Sequence, residues 1–358
     1  MSAPRLPSAA PVVAARLSAQ LLSGPRAADP VAVAERLLAV QGQDPRGARL
    51  AVRARSEGLS AVDVDRALTQ DRSLLITWLN RGTLHLVRSE DYPWLHALTT
   101  PPLFTSNARR LAQEGVTPDT ADRALKIIER SLAQEGPLTR GQLRERIAAA
   151  GVRTEGQALV HVLMLSSLRG LTVRGPMIAR EQAYVLVRDW LNRPRAVERD
   201  VALAELARRY LTGHGPAQDR DLARWAGLPL RDARTGLTAI ASELDHGEHG
   251  LVDLAGRPPP APLPAPLLLG AFDPVLLGWT SREPLLRGER ALALVTDNGL
   301  FRPFALVRGR AVGTWRLVSG SVSLEPFAPL TRSVTAALEA DAADVVRFLA
   351  GDPSTGAR

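Results

Sequence analysis

The chain of 358 residues is 45% hydrophobic and 23% charged, which is typical of a folded protein with roughly two to four domains. It contains no cysteine, which excludes disulfides, thiolate zinc sites and cysteine nucleophiles, and its six histidines are scattered singly, so we expect no metal and no cofactor. The net charge of +8 and the pI near 10.9 indicate a polyanionic partner, most simply nucleic acid. No apolar stretch is long enough to span a membrane and no signal-peptide pattern opens the chain, so we expect a cytoplasmic protein without membrane contacts.

The first hundred residues predict helices followed by a β-hairpin. Helices are expected over three segments, at 11–22, 31–40 and 60–69. Two β-type runs, 74–79 and 83–87, flank Asn80-Arg81-Gly82, whose Asn and Gly favour a tight turn. Helices followed by a hairpin is the order of a winged helix.

The same order recurs twice further along the chain. Predicted helices at 121–134, 139–150 and 154–168 precede a hairpin over 171–187, and helices at 201–211, 217–226 and 230–242 precede a strand at 251–254. When the breaks at Gly136-Pro137 and Gly215-Pro216 are aligned, Leu143 falls on Leu222, which indicates copies of one module. We therefore expect three winged-helix units in series.

Beyond a proline-rich connector at 257–266 the pattern changes to strands. They are predicted at 266–269, 291–295, 304–307, 311–317 and 322–326, and an amphipathic helix is predicted at 333–349. We expect a small β domain, a barrel or sandwich, capped by that helix. The predicted fold class is α+β, mainly α, with domains at 11–100, 101–195, 196–257 and 258–358.

The connection between the second helix and the next one carries a candidate binding site. Gln41 and Gln43 lie two residues apart, so in an extended connection their amides point the same way. Asp44-Pro45 is typical of a helix start, which attracts anions. Three arginines at helical spacing share one face of that helix: Arg46, Arg49 and Arg53. The pattern indicates a site for a phosphate-rich ligand; the alternative is a solvated connection followed by a solvated arginine face.

Four motifs carry a family resemblance that extends over essentially the whole chain. They are Gln41-Gly42-Gln43-Asp44-Pro45-Arg46, residues 77–87, residues 271–278 and Gly313-Thr314-Trp315-Arg316. Together they resemble the AlkZ-like winged-helix DNA glycosylases. The resemblance implies three winged-helix motifs that form a C-shaped clamp on duplex DNA, followed by the β domain. It also implies monofunctional excision of bulky N7-alkylated purines. In some members it includes unhooking of interstrand crosslinks, which protects a cell that makes a genotoxic natural product.

The family's catalytic Gln-x-Gln matches Gln41 and Gln43, with Gly42 where an apolar residue is often found. An N7-alkylpurine is already cationic, so its base leaves without a strong acid, and a neutral amide suffices to direct a water at the sugar. The enzyme class implied is a hydrolase of N-glycosyl bonds (EC 3.2.2.-). Because Lys126 is the only lysine and lies within a helix of another module, no lyase activity is expected.

Several other residues have two interpretations. Asp44 is either a catalytic support or only a helix cap, and His85 is either a catalytic support facing DNA or a structural histidine. Asp273 is interpreted as a turn former. The arginines expected to contact DNA are Arg46, Arg49, Arg53, Arg81, Arg174 and Arg308.

Two alternatives to an enzyme are open at this point. A non-catalytic winged-helix regulator would usually be a symmetric dimer, whereas three modules in one chain and no dimerisation helix favour a monomer. A protein that sequesters a genotoxin would not require the positive charge. Release of a base from duplex DNA that contains alkylated purines distinguishes the enzyme from the regulator.

Overall fold

The computed structural model describes residues 9–178, 181–191, 197–286, 293–296 and 299–350. About half of the chain is helical and the strands pair antiparallel, so the fold is α+β. Within the described ranges, no helix is both long and apolar enough to cross a bilayer.

The N-terminal part consists of four helices and a hairpin, as the sequence predicts, and a two-residue strand at Val40–Gln41 where the second helix was expected to continue to residue 40. They are α1 (Ala9–Ala19), α2 (Pro30–Leu37), β1 (Val40–Gln41), α3 (Pro45–Arg53), α4 (Ala61–Thr69), β2 (Leu74–Leu79) and β3 (Thr83–Arg88). Helices α2 and α3 each begin with an aspartate cap and a proline, Asp29-Pro30 and Asp44-Pro45.

The middle part repeats helices and hairpins. Its elements are α5 (Tyr92–Thr99), α6 (Leu103–Gln113), α7 (Pro118–Glu135), α8 (Arg140–Ala149), α9 (Ala158–Leu168), β4 (Thr172–Ile178), β5 (Glu181–Leu186) and α10 (Val187–Trp190). They are followed by α11 (Arg199–His214), α12 (Asp219–Ala226), α13 (Leu230–Ala239), β6 (Leu244–His246) and β7 (Val252–Leu254). The third hairpin, β6–β7, forms a separate two-stranded sheet.

The first two hairpins do not form separate sheets. They join into one five-stranded sheet of order β1-β3-β2-β4-β5, in which Ile76 of β2 pairs with Arg174 of β4. Local turn signals predict each hairpin, but the edge-to-edge pairing joins strands a hundred residues apart and leaves no local signal. The two units consequently share a single backbone scaffold.

The C-terminal part differs from the expected barrel or sandwich. It comprises β8 (Leu267–Leu269), α14 (Pro274–Leu277), β9 (Phe304–Val307), β10 (Arg310–Val318), β11 (Ser321–Pro326) and α15 (Arg332–Leu349). Its four strands form one open sheet of order β11-β10-β9-β8, so the prediction of a barrel or sandwich is wrong. Of the strand predicted at 291–295, residues 291–292 lie outside the described ranges, and Val295 makes only an isolated bridge to Phe301.

Strands β8 and β9 of this open sheet are covered on both faces by the rest of the chain, whereas β11 is an exposed edge. Leu267 and Leu269 enter the apolar cluster formed with α11, whereas Leu268 between them enters the cluster formed with α2–α4 and α15. Continuous apolar strands are expected where both faces of a sheet are buried. The helices α3 and α15 thus pack on the strands directly behind the Gln41 connection.

Candidate active site

The connection that carries the two glutamines lies at the edge of the five-stranded sheet. Gln41 pairs with His85 across β1 and β3, and the Gly42 amide donates to the Leu84 carbonyl at 2.7 Å. The Gln41 side chain is buried and the Gln43 side chain is exposed. Gln41 Nε2 donates to Gln43 Oε1 at 2.5 Å, so the two amides meet as the extended connection predicts.

Arg81 holds the other end of the Gln41 amide. It lies in the β2–β3 turn, where Asn80 and Gly82 adopt positive φ values of 51° and 79°. Its Nη2 donates to Gln41 Oε1 at 3.4 Å, and its Nη1 donates to the Trp225 carbonyl at 2.6 Å. The Gln41 side-chain oxygen therefore faces Arg81, and the Gln41 side-chain nitrogen faces the oxygen of Gln43.

Arg81 was expected at a wing tip, but its side chain is folded against the protein. Burial, followed by the charges of Arg224 and Arg282, lowers the pKa of the Arg81 guanidinium. An arginine remains charged even so. The structure therefore places a fixed cation beside Gln41.

His85 lies beneath Gln41 and is buried. Its Nδ1 is 2.9 Å from the Thr83 carbonyl, and burial, followed by the Arg81 charge, lowers the pKa of His85 to about 3. It is therefore a neutral imidazole that does not reach the surface. Of the two interpretations of His85, its burial favours the structural one.

Asp44 is the N-cap of α3. Its Oδ1 accepts hydrogen bonds from the amides of Arg46 at 2.9 Å and Gly47 at 3.0 Å. The cap interpretation is thus confirmed. Asp44 fixes the direction in which the chain leaves Gln43 and enters the helix.

Two of the three arginines that were expected on an exposed face of α3 are buried. Arg49 is 3% exposed, and its Nε donates to Asp65 at 2.9 Å. Arg53 is 4% exposed and is held by carboxylates of α15. Since their guanidinium groups pair with carboxylates of the protein itself, we do not retain Arg49 and Arg53 as DNA contacts. Arg46, in the first turn of α3, is half-buried.

The remaining predicted arginines lie apart from the glutamines. Ile76 pairs with Arg174 and the next residue, Thr77, pairs with His85, so Arg174 projects from the sheet face opposite to Gln41. Arg174 stacks over the Trp78 and Tyr184 rings at 4.7 and 4.8 Å. There it lines a cavity of about 650 Å³ that Arg140 and Arg144 also line. Arg308 is exposed in the β9–β10 turn.

Two arginines near the site were missed by sequence analysis. Arg224 lies in the last turn of α12 and Arg282 follows α14, and both are close enough to Arg81 for their charges to act on it. Neither lies near a glutamine motif in the sequence, so no spacing connects them with Gln41. The proximity of Arg224 to Arg81 results from the packing of Gly227, at the end of α12, against the Asn80 carbonyl; a Cβ on Gly227 would lie 2.8 Å from the Asn80 oxygen.

Comparison with known proteins identifies the family of the chain. Residues 34–348 match the family described as DNA glycosylase AlkZ-like. The chain is 30% identical to the interstrand DNA cross-link repair glycosylase of Streptomyces sahachiroi, over 94% of this chain and 95% of that protein. The solved structure of the Streptomyces sahachiroi DNA glycosylase AlkZ superimposes with a TM-score of 0.77 at 26% identity, and 97% of each chain is covered. The chain therefore belongs to the AlkZ-like DNA glycosylase family.

Proposed function

We propose that this protein is a monofunctional DNA glycosylase that hydrolyses the N-glycosidic bond of bulky, cationic N7-alkylpurines. The observation that carries the proposal is the hydrogen-bonded pair Gln41–Gln43, with Gln43 exposed at the surface and Gln41 anchored by Arg81. This arrangement gives a rigid amide pair at an accessible edge of the protein. Family membership supports the reaction class.

The amides have the chemistry that this reaction requires. An amide oxygen accepts a hydrogen bond from a water molecule and so directs it towards the anomeric carbon, and its dipole stabilises positive charge on the sugar in the transition state. Because Gln41 is buried between Arg81 and Gln43, whereas Gln43 is exposed and its Oε1 keeps a second lone pair after accepting from Gln41 Nε2, we assign contact with the water to Gln43 and the positioning of Gln43 to Gln41.

The substrate must supply the activation that the site lacks. His85 is neutral and buried, and the Asp44 oxygen that faces the helix is occupied by two backbone amides. Burial favours a structural role for His85, and the helix cap accounts for Asp44 without a catalytic role. An amide is too weak a base to deprotonate water for attack on a normal nucleotide, which favours a base that is cationic before it binds.

We extend the proposal to interstrand crosslinks and, through them, to self-resistance against a genotoxic natural product in the cytoplasm. A base tied to the opposite strand is not free to swing fully into a deep pocket. The exposed position of Gln43 suits such a substrate. The name of the Streptomyces sahachiroi relative supports this extension.

We propose that DNA is held by three winged-helix units acting as a C-shaped clamp, within domains at 11–100, 101–195, 196–257 and 258–358. The chain would act as a monomer on duplex DNA. The proposed contacts, in addition to the site itself, are Arg46, Arg81, Arg174 and Arg308. No lyase step is proposed, because Lys126 is exposed on α7, which belongs to the second unit.

The test is a single-turnover reaction on a duplex with one bulky N7-alkylguanine, followed by alkali to reveal abasic sites. Wild type is compared with Gln41→Ala and Gln43→Ala, and Gln113→Ala on α6 serves as an exposed glutamine control. We expect strand breaks only after alkali, with release slowed by about 100-fold in the first two variants and unchanged in the third. Breaks without alkali would contradict the monofunctional mechanism. Tight DNA binding without base release from several adducts would favour the non-catalytic regulator.

A further inference from the structure

Arg81, which contacts Gln41, also contacts the end of α12 that carries Arg224, and the segment that carries Arg282 is held to the same helix by the Thr280 amide, which donates to Asp221 at 2.9 Å. Arg81 donates to the carbonyls of Trp225 at 2.6 Å and Arg224 at 3.4 Å, both at the C-terminal end of α12. Arg224 itself is exposed, whereas Arg282 is half-buried and its Nε donates to the Leu276 carbonyl at 2.9 Å. Across the described ranges, none of the three guanidinium groups has an Asp or Glu oxygen within ion-pair distance.

The buried arginines of the described ranges are treated differently. Arg49, Arg53 and Arg55 each pair with an aspartate at short distance. Among the described residues, the cluster formed by Arg81, Arg224 and Arg282 is offset by the carbonyl end of α12, which is worth about half of an elementary charge. Like charges held close together are unfavourable unless an anion is present. The described part of the chain places no carboxylate against these arginines, so the cluster suits an anion from outside the protein.

The position of the cluster identifies the class of anion. A cationic purine and a positively charged sugar transition state next to Gln41 would both be repelled by three uncompensated guanidinium groups. The repulsion disappears if the same DNA strand brings phosphates onto the arginines. Guanidinium forks match phosphate oxygens in two-point hydrogen bonds, which fixes the position of the strand as well as its charge.

We propose that Arg81, Arg224 and Arg282 bind the phosphodiester backbone of the damaged strand beside the nucleotide to be cleaved. The placement of the phosphates beside the nucleotide to be cleaved rests on the proposed function, whereas the binding of phosphate by these arginines does not. Because Arg81 contacts both this backbone site and Gln41 Oε1, the seated phosphate and the catalytic amide pair are linked through one side chain.

The first experiment measures binding to undamaged duplex DNA, which requires no base release. The affinities of Arg224→Gln and Arg282→Gln are compared with wild type between 50 and 200 mM salt. Arg66→Gln is the control, since Arg66 is exposed on α4 between Asp63 and Asp71 and is not expected to contact a phosphate. Each lost phosphate contact reduces the slope of log affinity against log salt by about 0.9, so the ratio of affinities at 50 and 200 mM falls about 3-fold. Slopes equal to wild type in both cluster variants would overturn the proposal.

The second experiment locates the phosphates. A duplex with a single tetrahydrofuran abasic analogue sets the register, and single methylphosphonates remove the charge of one phosphate at a time. Next to the analogue, we expect the neutral linkage to weaken binding of wild type but not to weaken Arg224→Gln further. At a phosphate one helical turn away, the neutral linkage and the Arg224→Gln substitution should weaken binding independently, so the two fold-losses of affinity should multiply. Losses of affinity that multiply at every position beside the analogue would overturn the placement, even if the salt slopes were reduced.

Base release is not measured in either experiment, so a failed glycosylase reaction and a failed phosphate site give different results.

Discussion

The charged and polar side chains in and behind the site are fixed by both local and distant partners. His85 is kept neutral by burial and by Arg81, and Asp273, which sequence analysis interprets only as a turn former, is fully buried against Arg55. Asp273 also caps α14 through the Val275 amide. A residue can thus satisfy a local turn rule and at the same time form a long-range ion pair that the rule does not show.

The neutral state of His85 predicts a pH dependence of stability. The pKa of His85 is about 3 in the folded protein and 6.5 as the ordinary value. Between these values the unfolded chain binds a proton that the folded chain does not, so the free energy of unfolding decreases as pH falls from 6.5 towards 3 and is unaffected by this group above 6.5. The expected slope is about 1.4 kcal/mol per pH unit. Urea unfolding of wild type and His85→Gln across pH 7 to 4 measures it. The same pH dependence in both proteins would contradict the assignment.

The Arg55–Asp273 pair predicts a large stability effect at a single residue. Both side chains are fully buried, and Arg55 Nη1 and Nη2 donate to the two carboxylate oxygens at 2.9 and 2.8 Å. Asp273→Ala leaves a buried guanidinium without its counter-charge, and we expect the free energy of unfolding to fall by about 3 to 5 kcal/mol. Glu325→Ala, which breaks the exposed Arg316–Glu325 pair, should cost less than about 1 kcal/mol in the same urea assay. Equal losses in the two variants would rule out this explanation.

At the scale of elements, the position of α3 relative to the C-terminal sheet determines where Gln43 lies. Helix α3 approaches β8 and the residues after it so closely that a Cβ on Gly47 would collide with the Ala271 carbonyl oxygen. In contrast, a Cβ on Gly42 would make ordinary contacts of 3.5 Å to the Leu86 nitrogen and 3.6 Å to Ile76 Cγ2. Glycine is thus required for packing at one of these positions and not at the other.

The two glycines form a matched pair for a prediction. Gly47→Ala is expected to lower the free energy of unfolding by about 1 to 3 kcal/mol, because backbone has to move on one side of the contact. Gly42→Ala, between the two glutamines, should change the free energy of unfolding little and leave base release intact. Thermal or urea unfolding and single-turnover base release measure both variants. A larger loss of stability in Gly42→Ala than in Gly47→Ala would contradict the packing described here.

At the scale of the whole molecule, the C-terminal helix completes the region behind the site. Asp341 of α15 accepts from Arg53 of α3 at 2.9 Å and from the Leu268 amide of β8 at 2.6 Å. Phe348 and Val345 of α15 enter the same apolar cluster as α2–α4. The N-terminal helices and the last helix therefore share one core and are expected to unfold together.

Asp341→Ala tests this coupling. It leaves the buried Arg53 guanidinium with a weaker counter-charge and the Leu268 amide without its acceptor, and we expect a loss of about 3 kcal/mol in the free energy of unfolding. Asp344→Ala on the same helix is the control, since its side chain is 43% exposed and should contribute less than about 1 kcal/mol. Unfolding is followed by urea denaturation with tryptophan fluorescence, and a single transition is expected throughout. A separate early transition in Asp341→Ala would show that the ends of the chain unfold independently.

The sequence by itself determined the features that depend on neighbouring residues. Asp44-Pro45 specifies the start of α3, Asn80-Arg81-Gly82 specifies the first hairpin, and the two-residue spacing of Gln41 and Gln43 brings their amides together. Each of these follows from local backbone geometry, which a short segment contains in full.

Only the tertiary structure decided which charges face outward and how the strands combine. Arg49 and Arg53 fit a surface stripe by spacing, but carboxylates from α4 and α15 bury them. Arg224 and Arg282 have no sequence relation to Gln41, yet packing brings them to Arg81. The five-stranded sheet and the open C-terminal sheet likewise depend on edges that meet only after folding. Such pairing partners, from 16 residues apart for Arg49 and Asp65 to 288 for Arg53 and Asp341, are selected by complementary surfaces and charges in space, and this information is not contained in any local pattern.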